Sequence, residues 1–118
     1  MDATSFELNV TVAPDPRLSD ALRDLAVHAA RYAGCRGADA DIFGSVVERV
    51  VRTCFDGMPG PREVDVIVRR ENGPVEFLIS ADCERVPNGN RDPHIAVTSV
   101  SIGGRRMCCV ARRMPADS

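Results

Sequence analysis

Polar and apolar residues alternate along "SFELNVTVA": Phe6, Leu8, Val10 and Val12 fall on one side of an extended chain, Glu7, Asn9 and Thr11 on the other. A period of two predicts a half-buried strand. "PDPRLSD" breaks the pattern, and Asp15 is placed to cap a helix beginning at Pro16, where a missing N–H costs nothing. From there to about Ala33 the period becomes that of a helix. Leu18, Leu22, Leu25, Ala29 and Tyr32 form a stripe, with Arg23, Asp24 and Arg31 away from it and His28 at its margin. Gly34 suits the end of this helix and Asp39 the cap of the next. The second helix is predicted over Ala40 to Phe55, with Phe43, Val46, Val47, Val50, Val51 and Cys54 on a wide apolar face. Ser45, Glu48, Arg49 and Arg52 share its polar side. So many β-branched residues make a poor helix in isolation, so packing must hold this one.

"DGMPGP" stops the second helix, and everything after it is strand-like. Val64, Val66 and Val68 alternate in "EVDVIVRR", and Val75, Phe77 and Ile79 in "PVEFLISA", with "ENG" as the turn of a hairpin. "HIAVTSVSI" and "RRMCCVARR" flank Gly103-Gly104 as a second hairpin, and 114–118 read as a frayed tail. The order β-α-α-β-β-β-β predicts an α+β two-layer sandwich. A mainly antiparallel or mixed sheet of about five strands carries both helices on one face. The 118 residues suit one domain with its own core.

Composition narrows the function more than the fold. No apolar run approaches the ~18 residues that span a bilayer, and "MDATSFELNV" lacks the basic start and apolar stretch of a secretory signal, so the cytoplasm is the expected location. The net charge is −2, and all fifteen positive charges are arginine. A nucleic-acid partner is not expected from so even a balance; the local basic stretch "GGRRMCCVARRM" reads as a solvated strand face. Cys35, Cys54, Cys83, Cys108 and Cys109 show no C-x-x-C spacing, and Cys108 and Cys109 point to opposite faces of a strand. They read mostly as small core residues rather than as a metal or thiol-sensing site with His28 or His94.

The element order, with "FELNVTVAPDPRLSDALRDLAVHAARYAGCRGADADIFGSVVERVVRTCFD" and "EVDVIVRRENGPVEFLISADC", resembles the anti-sigma-factor serine kinases of the GHKL ATPase superfamily. The resemblance covers Phe6 to about Cys83 and resumes from His94 to Arg113. In that family the second helix carries a glutamate and, four residues on, an asparagine. The two share one face: the carboxylate serves the nucleophile, and the amide oxygen holds magnesium on the ATP phosphates. Glu48 matches the glutamate, but Arg52 stands at the asparagine position, and a guanidinium has no acceptor atom for a metal. Glu48 and Arg52 are instead spaced as an ion pair. The family's adenine-reading aspartate corresponds to Asp82, one residue out of step with the alternation Val75, Phe77, Ile79 and without the glycines that should follow. "CERVPNGNRDP" is too short for the family's phosphate lid.

The resemblance therefore implies a degenerate nucleotide site at Glu48, Arg52 and Asp82, with no catalytic residue and no metal ligand assigned. The expected function is regulatory protein binding, with a sigma factor or an antagonist as partner. The expected surface is the polar side of the second helix, at Arg49 and Arg52, together with the first helix, and a homodimer is possible. The alternative is a divergent serine kinase that still uses ATP and magnesium.

Overall fold

The computed structural model describes residues 5–13, 15–35, 37–56, 63–70, 73–81, 95–102 and 105–112. Strand β1 is Phe6–Val12, helix α1 Ser19–Ala33 and helix α2 Ala38–Asp56. Strands β2 (Val64–Arg70), β3 (Val75–Ala81), β4 (Ile95–Ile102) and β5 (Arg105–Arg112) follow. The sheet is antiparallel throughout and runs β1-β2-β3-β5-β4. The expected α+β architecture is therefore present. Both hairpins form as well, with Val66 opposite Ile79 and Val97 opposite Val110. The sheet order departs from chain order at one place: β5 takes the seat beside β3 and β4 moves to the edge. The segments 57–62, 71–72, 82–94, 103–104 and 113–118, among them the predicted helix stop, hairpin turns and frayed tail, lie outside the described residues.

One face of the sheet carries the core. Val64, Val66 and Val68 meet Val75, Phe77 and Ile79 across one ladder, and Cys108 and Val110 across the next, all essentially removed from water. Phe43, Val47, Val50, Val51 and Cys54 of α2 close over them. A fully buried valine or phenylalanine contributes roughly 1.5–3 kcal/mol, which offsets the weak helix propensity of the "VVERVV" stretch. The apolar face predicted for α2 is thus the buried one.

For α1 the buried face is turned from the predicted stripe. Leu22, Ala26, Ala29, Ala30 and Ala33 are buried, Leu18 and Leu25 only partly, and Tyr32 is exposed. The stripe was drawn through the largest side chains, but small ones let the helix lie close to its neighbours. Gly44 is a point of close approach. A Cβ there would run into Val27 Cγ2 and stand 3.1 Å from Arg23 Cγ and 3.3 Å from the Arg23 carbonyl oxygen.

The ends of the helices also differ from expectation. Asp15 caps a 3-10 turn over Pro16–Leu18, accepting 2.9 Å from the Arg17 N–H, and α1 proper begins at Ser19. Hydrogen bonds from Arg17 hold the Asp15 carboxyl below its ordinary pKa. Gly34 ends α1 as expected, with φ 114°. Its N–H donates to the Arg31 carbonyl, and that of Cys35 to the Ala30 carbonyl, in a Schellman closure. Asp39 lies inside the first turn of α2, where its carboxylate pairs with Arg112 at 3.2 Å. Arg112 belongs to the stretch read as a solvated strand face, but it is buried on the helix side, flanked by Val75 and Ile95. From the opposite edge of the same loop, Arg70 Nη1 donates 2.9 Å to the Ala33 carbonyl at the end of α1.

An exposed helical glycine replaced by alanine normally gains about 1 kcal/mol in stability. At Gly44 we expect the reverse: Gly44→Ala loses about 1–3 kcal/mol because α1 must be pushed off α2. Urea denaturation checks this, and a variant more stable than the parent would contradict the packing described.

Candidate functional site

Glu48 sits in the seam between the helices, and its side chain retains only 18% of its accessible surface. Each carboxylate oxygen faces a different guanidinium. Oε2 receives Arg52 Nη2 at 2.8 Å from one turn further along α2, and Oε1 receives Arg23 Nη1 at 3.4 Å from α1. Arg52 also reaches Ser19 Oγ at 3.4 Å and Asp20 at 4.0 Å, while Arg23 spans Asp20 at 3.9 Å and Asp24 at 3.6 Å. The pair expected from the i,i+4 spacing is thus part of a six-residue cluster that stitches the start of α1 to the second half of α2. The sequence reading set Arg23 off the apolar stripe and gave Ser19 and Asp20 no role, because only the helix crossing brings them to Glu48 and Arg52. The close approach at Gly44 was the available clue, one turn before Glu48 on the α1 side.

Chemically the cluster is a clamp. Arg52 carries donors only, so it holds Glu48 without offering a ligand to a cation. Among the described residues no group of three or more His, Cys, Asp or Glu could hold a metal ion. Asp82 lies outside the described residues, as do the segment read as too short for a lid and His94. Among the sequence-predicted site residues that are described, the structure joins Glu48 to Arg52. His28 is exposed, with Nδ1 2.8 Å from the Asp24 carbonyl oxygen.

On the outer flank of α2, Ala38, Asp41, Ile42, Ser45, Val46 and Arg49 line an open hollow of about 260 Å³. Arg49 borders this hollow, whereas Arg52 leans toward α1. The two arginines grouped by sequence thus serve different neighbours.

The cysteines sort as expected by face. Cys35, Cys54 and Cys108 are buried, and the Cys54 and Cys108 sulfurs are 3.8 Å apart in the core. Cys109 lies on the opposite face of β5, half-buried beside Glu76. Burial, then the Glu76 carboxylate, push its thiol up to about 11. Glu76 is itself paired with Arg69 across the ladder at 2.9 Å. Compared with known proteins, the chain matches no family model and no curated protein. No helix among the described residues is long and apolar enough to cross a membrane.

Two measurements bear on this chemistry. A double-mutant cycle over Glu48→Ala and Arg52→Ala should give a coupling of roughly 0.3–1 kcal/mol, with Glu48→Ala the costlier single change because it also releases Arg23. A coupling indistinguishable from zero would mean that the pair is ornamental. Because its folded pKa is raised, the Cys109 thiolate is scarce at neutral pH and forms only as pH climbs toward 11. Its alkylation by iodoacetamide should therefore rise about tenfold per pH unit from 8 to 10, and Glu76→Gln should accelerate it at pH 8. Peptide mapping reads both, and full labelling within minutes at pH 7 would contradict them.

Proposed function

We propose that this chain is a regulatory protein-interaction domain of the anti-sigma type, with nucleotide binding weakened or lost. One observation carries the reading: at the position where the resembled kinases need a metal ligand stands Arg52, and its guanidinium is 2.8 Å from Glu48. A carboxylate held between two guanidiniums, one from each helix, is arranged to fasten helices. It is not arranged to steer a nucleophile toward a magnesium-bound phosphate. The α+β layout, with two helices over one face of the sheet, fits the same ancestry. Fold-level likeness is a warrant by analogy alone, so the site carries the argument.

The partner in this reading is a sigma factor or a protein antagonist, and the contact face is the outer side of α2. There Ile42 supplies exposed apolar surface beside the largely buried Val46, and Arg49 and Asp41 line the same hollow with charge. Apolar centre and charged rim is the usual anatomy of a protein interface.

Calorimetric titration with ATP and ADP, with and without magnesium, tests the first half. We expect no saturable binding below roughly 1 mM; a nucleotide at 100 times its Kd would stabilise the fold by ~2.7 kcal/mol, an easily seen shift in Tm. Micromolar, magnesium-dependent binding would overturn the proposal in favour of a working kinase built on Glu48. For the second half, sigma factors of the same cell are titrated against the chain and against Arg49→Glu. Binding that weakens about tenfold in the variant supports the face; binding indifferent to Arg49 rejects it.

A further inference from the structure

We propose that Cys54 and Cys108 form a redox-responsive lock: a small hydroperoxide closes a disulfide between them and staples the last turn of α2 to the sheet. The two sulfurs stand 3.8 Å apart, and both residues are completely buried. Nothing in their spacing announces the pair. They are 54 positions apart in the chain, and only the packing of α2 on β5 brings them together. An S–S bond is about 2.05 Å long, so each sulfur has to move by less than ~1 Å to form one.

The elements around the pair decide which chemistry it can do. Cys108 lies on the helix side of β5, opposite Ile79 of β3 and Ser99 of β4, in a strand that is paired along both edges. It is held in place. Cys54 lies in the last turn of α2, two positions before the end at Asp56. The carbonyls of a last turn have no partner further along the helix, and helix ends open at far lower cost than a central strand. Cys54 therefore supplies the movement and Cys108 the fixed target.

The surroundings select thiol oxidation over metal binding. The core cluster that holds both cysteines also contains Val50, Val51, Phe77, Ile79 and Val110. Zinc takes four ligands in a structural site, and no group of three or more His, Cys, Asp or Glu among the described residues could hold an ion. Two of the other cysteines are placed where they cannot substitute. Cys109 lies on the opposite face of β5, beside Glu76. Cys35 precedes the first turn of α2, at the other end of that helix from Cys54.

The step balances with hydrogen peroxide as the oxidant. Opening of the last turn brings the Cys54 thiolate to one peroxide oxygen. The O–O bond breaks, an S–O bond forms, and the departing hydroxide takes up the proton of the Cys54 thiol as water. The turn then closes, and the Cys108 sulfur attacks the sulfur of the Cys54 sulfenic acid. The S–O bond breaks, and hydroxide leaves with the proton of the Cys108 thiol as a second water. Two thiols and one peroxide thus give one disulfide and two waters, with two electrons passing from the sulfurs to the peroxide. Burial keeps the reduced pair slow to react. Once closed, the bond spans a long loop, the case in which a cross-link constrains the unfolded chain most.

Controlled oxidation of the full chain tests the proposal. Hours in about 1 mM hydrogen peroxide at pH 8 should consume Cys54 and Cys108 as thiols. Tryptic mapping without reductant should then join the peptide Thr53–Arg62 to the peptide Met107–Arg112. The second peptide also contains Cys109, so Cys109→Ser is oxidised alongside to place the bridge on Cys108. The oxidised chain should melt roughly 10 °C above the reduced one. Dithiothreitol should abolish the shift, and it leaves any methionine sulfoxide untouched. Cys54→Ala and Cys108→Ala, each checked for parental helical circular dichroism, should show neither bridge nor shift. Both thiols intact in the parent, a bridge between any other pair, or a bridge that lowers Tm would each overturn it.

Discussion

The close crossing of α1 and α2 sets the terms for the rest of the molecule. Gly44 and the alanine face of α1 permit it, since a side chain at 44 would meet Val27 and Arg23. Because the helices are drawn together, they cover the middle of the sheet rather than its full width. Val64, Val66, Val68, Val75, Phe77 and Ile79 are thereby sealed, and Leu8 and Val10 are left outside. The same crossing carries Arg23 to Glu48, so the electrostatic clamp is a consequence of packing rather than its cause. Partly exposed ion pairs contribute little to stability by themselves. Their value here is in fixing how one helix sits against the other.

Two arginines from the sheet hold the loop between the helices from below. Arg70 satisfies the Ala33 carbonyl at the end of α1, and Arg112 meets Asp39 in the first turn of α2. Each places positive charge where a helix end or an acidic first turn can use it. Arg112 does so at a cost, because its Nε is buried and has no hydrogen-bond partner among the described residues. A buried guanidinium of that kind adds geometry more surely than stability. The two contacts set where the helices stop and start over the sheet, and so where the outer flank of α2 opens to a partner.

The candidate site was legible in part. That Glu48 and Arg52 would pair followed from their spacing, and the structure has them 2.8 Å apart. That Arg23 would join them did not, because its contact depends on the angle and depth of a helix crossing twenty-five positions away in the chain. Arg49 and Arg52 looked equivalent on a helical wheel, yet one borders the α2 hollow and the other the helix seam. Asp39 read as a cap because aspartate favours that role, but a buried arginine on a distant strand claimed it instead.

What the chain determined by itself was local: three strand-like alternations, a wide valine face, a glycine stop and a pair of hairpins. Each follows from side-chain period and turn chemistry within a few residues. Tertiary structure decided which apolar faces were covered. It turned α1 toward its alanines, seated β5 rather than β4 beside β3, and buried Arg112 while leaving Leu8 and Tyr32 exposed. Periodicity states that a face is apolar. Only the width and closeness of the packed layers determine whether this chain is the one that covers it.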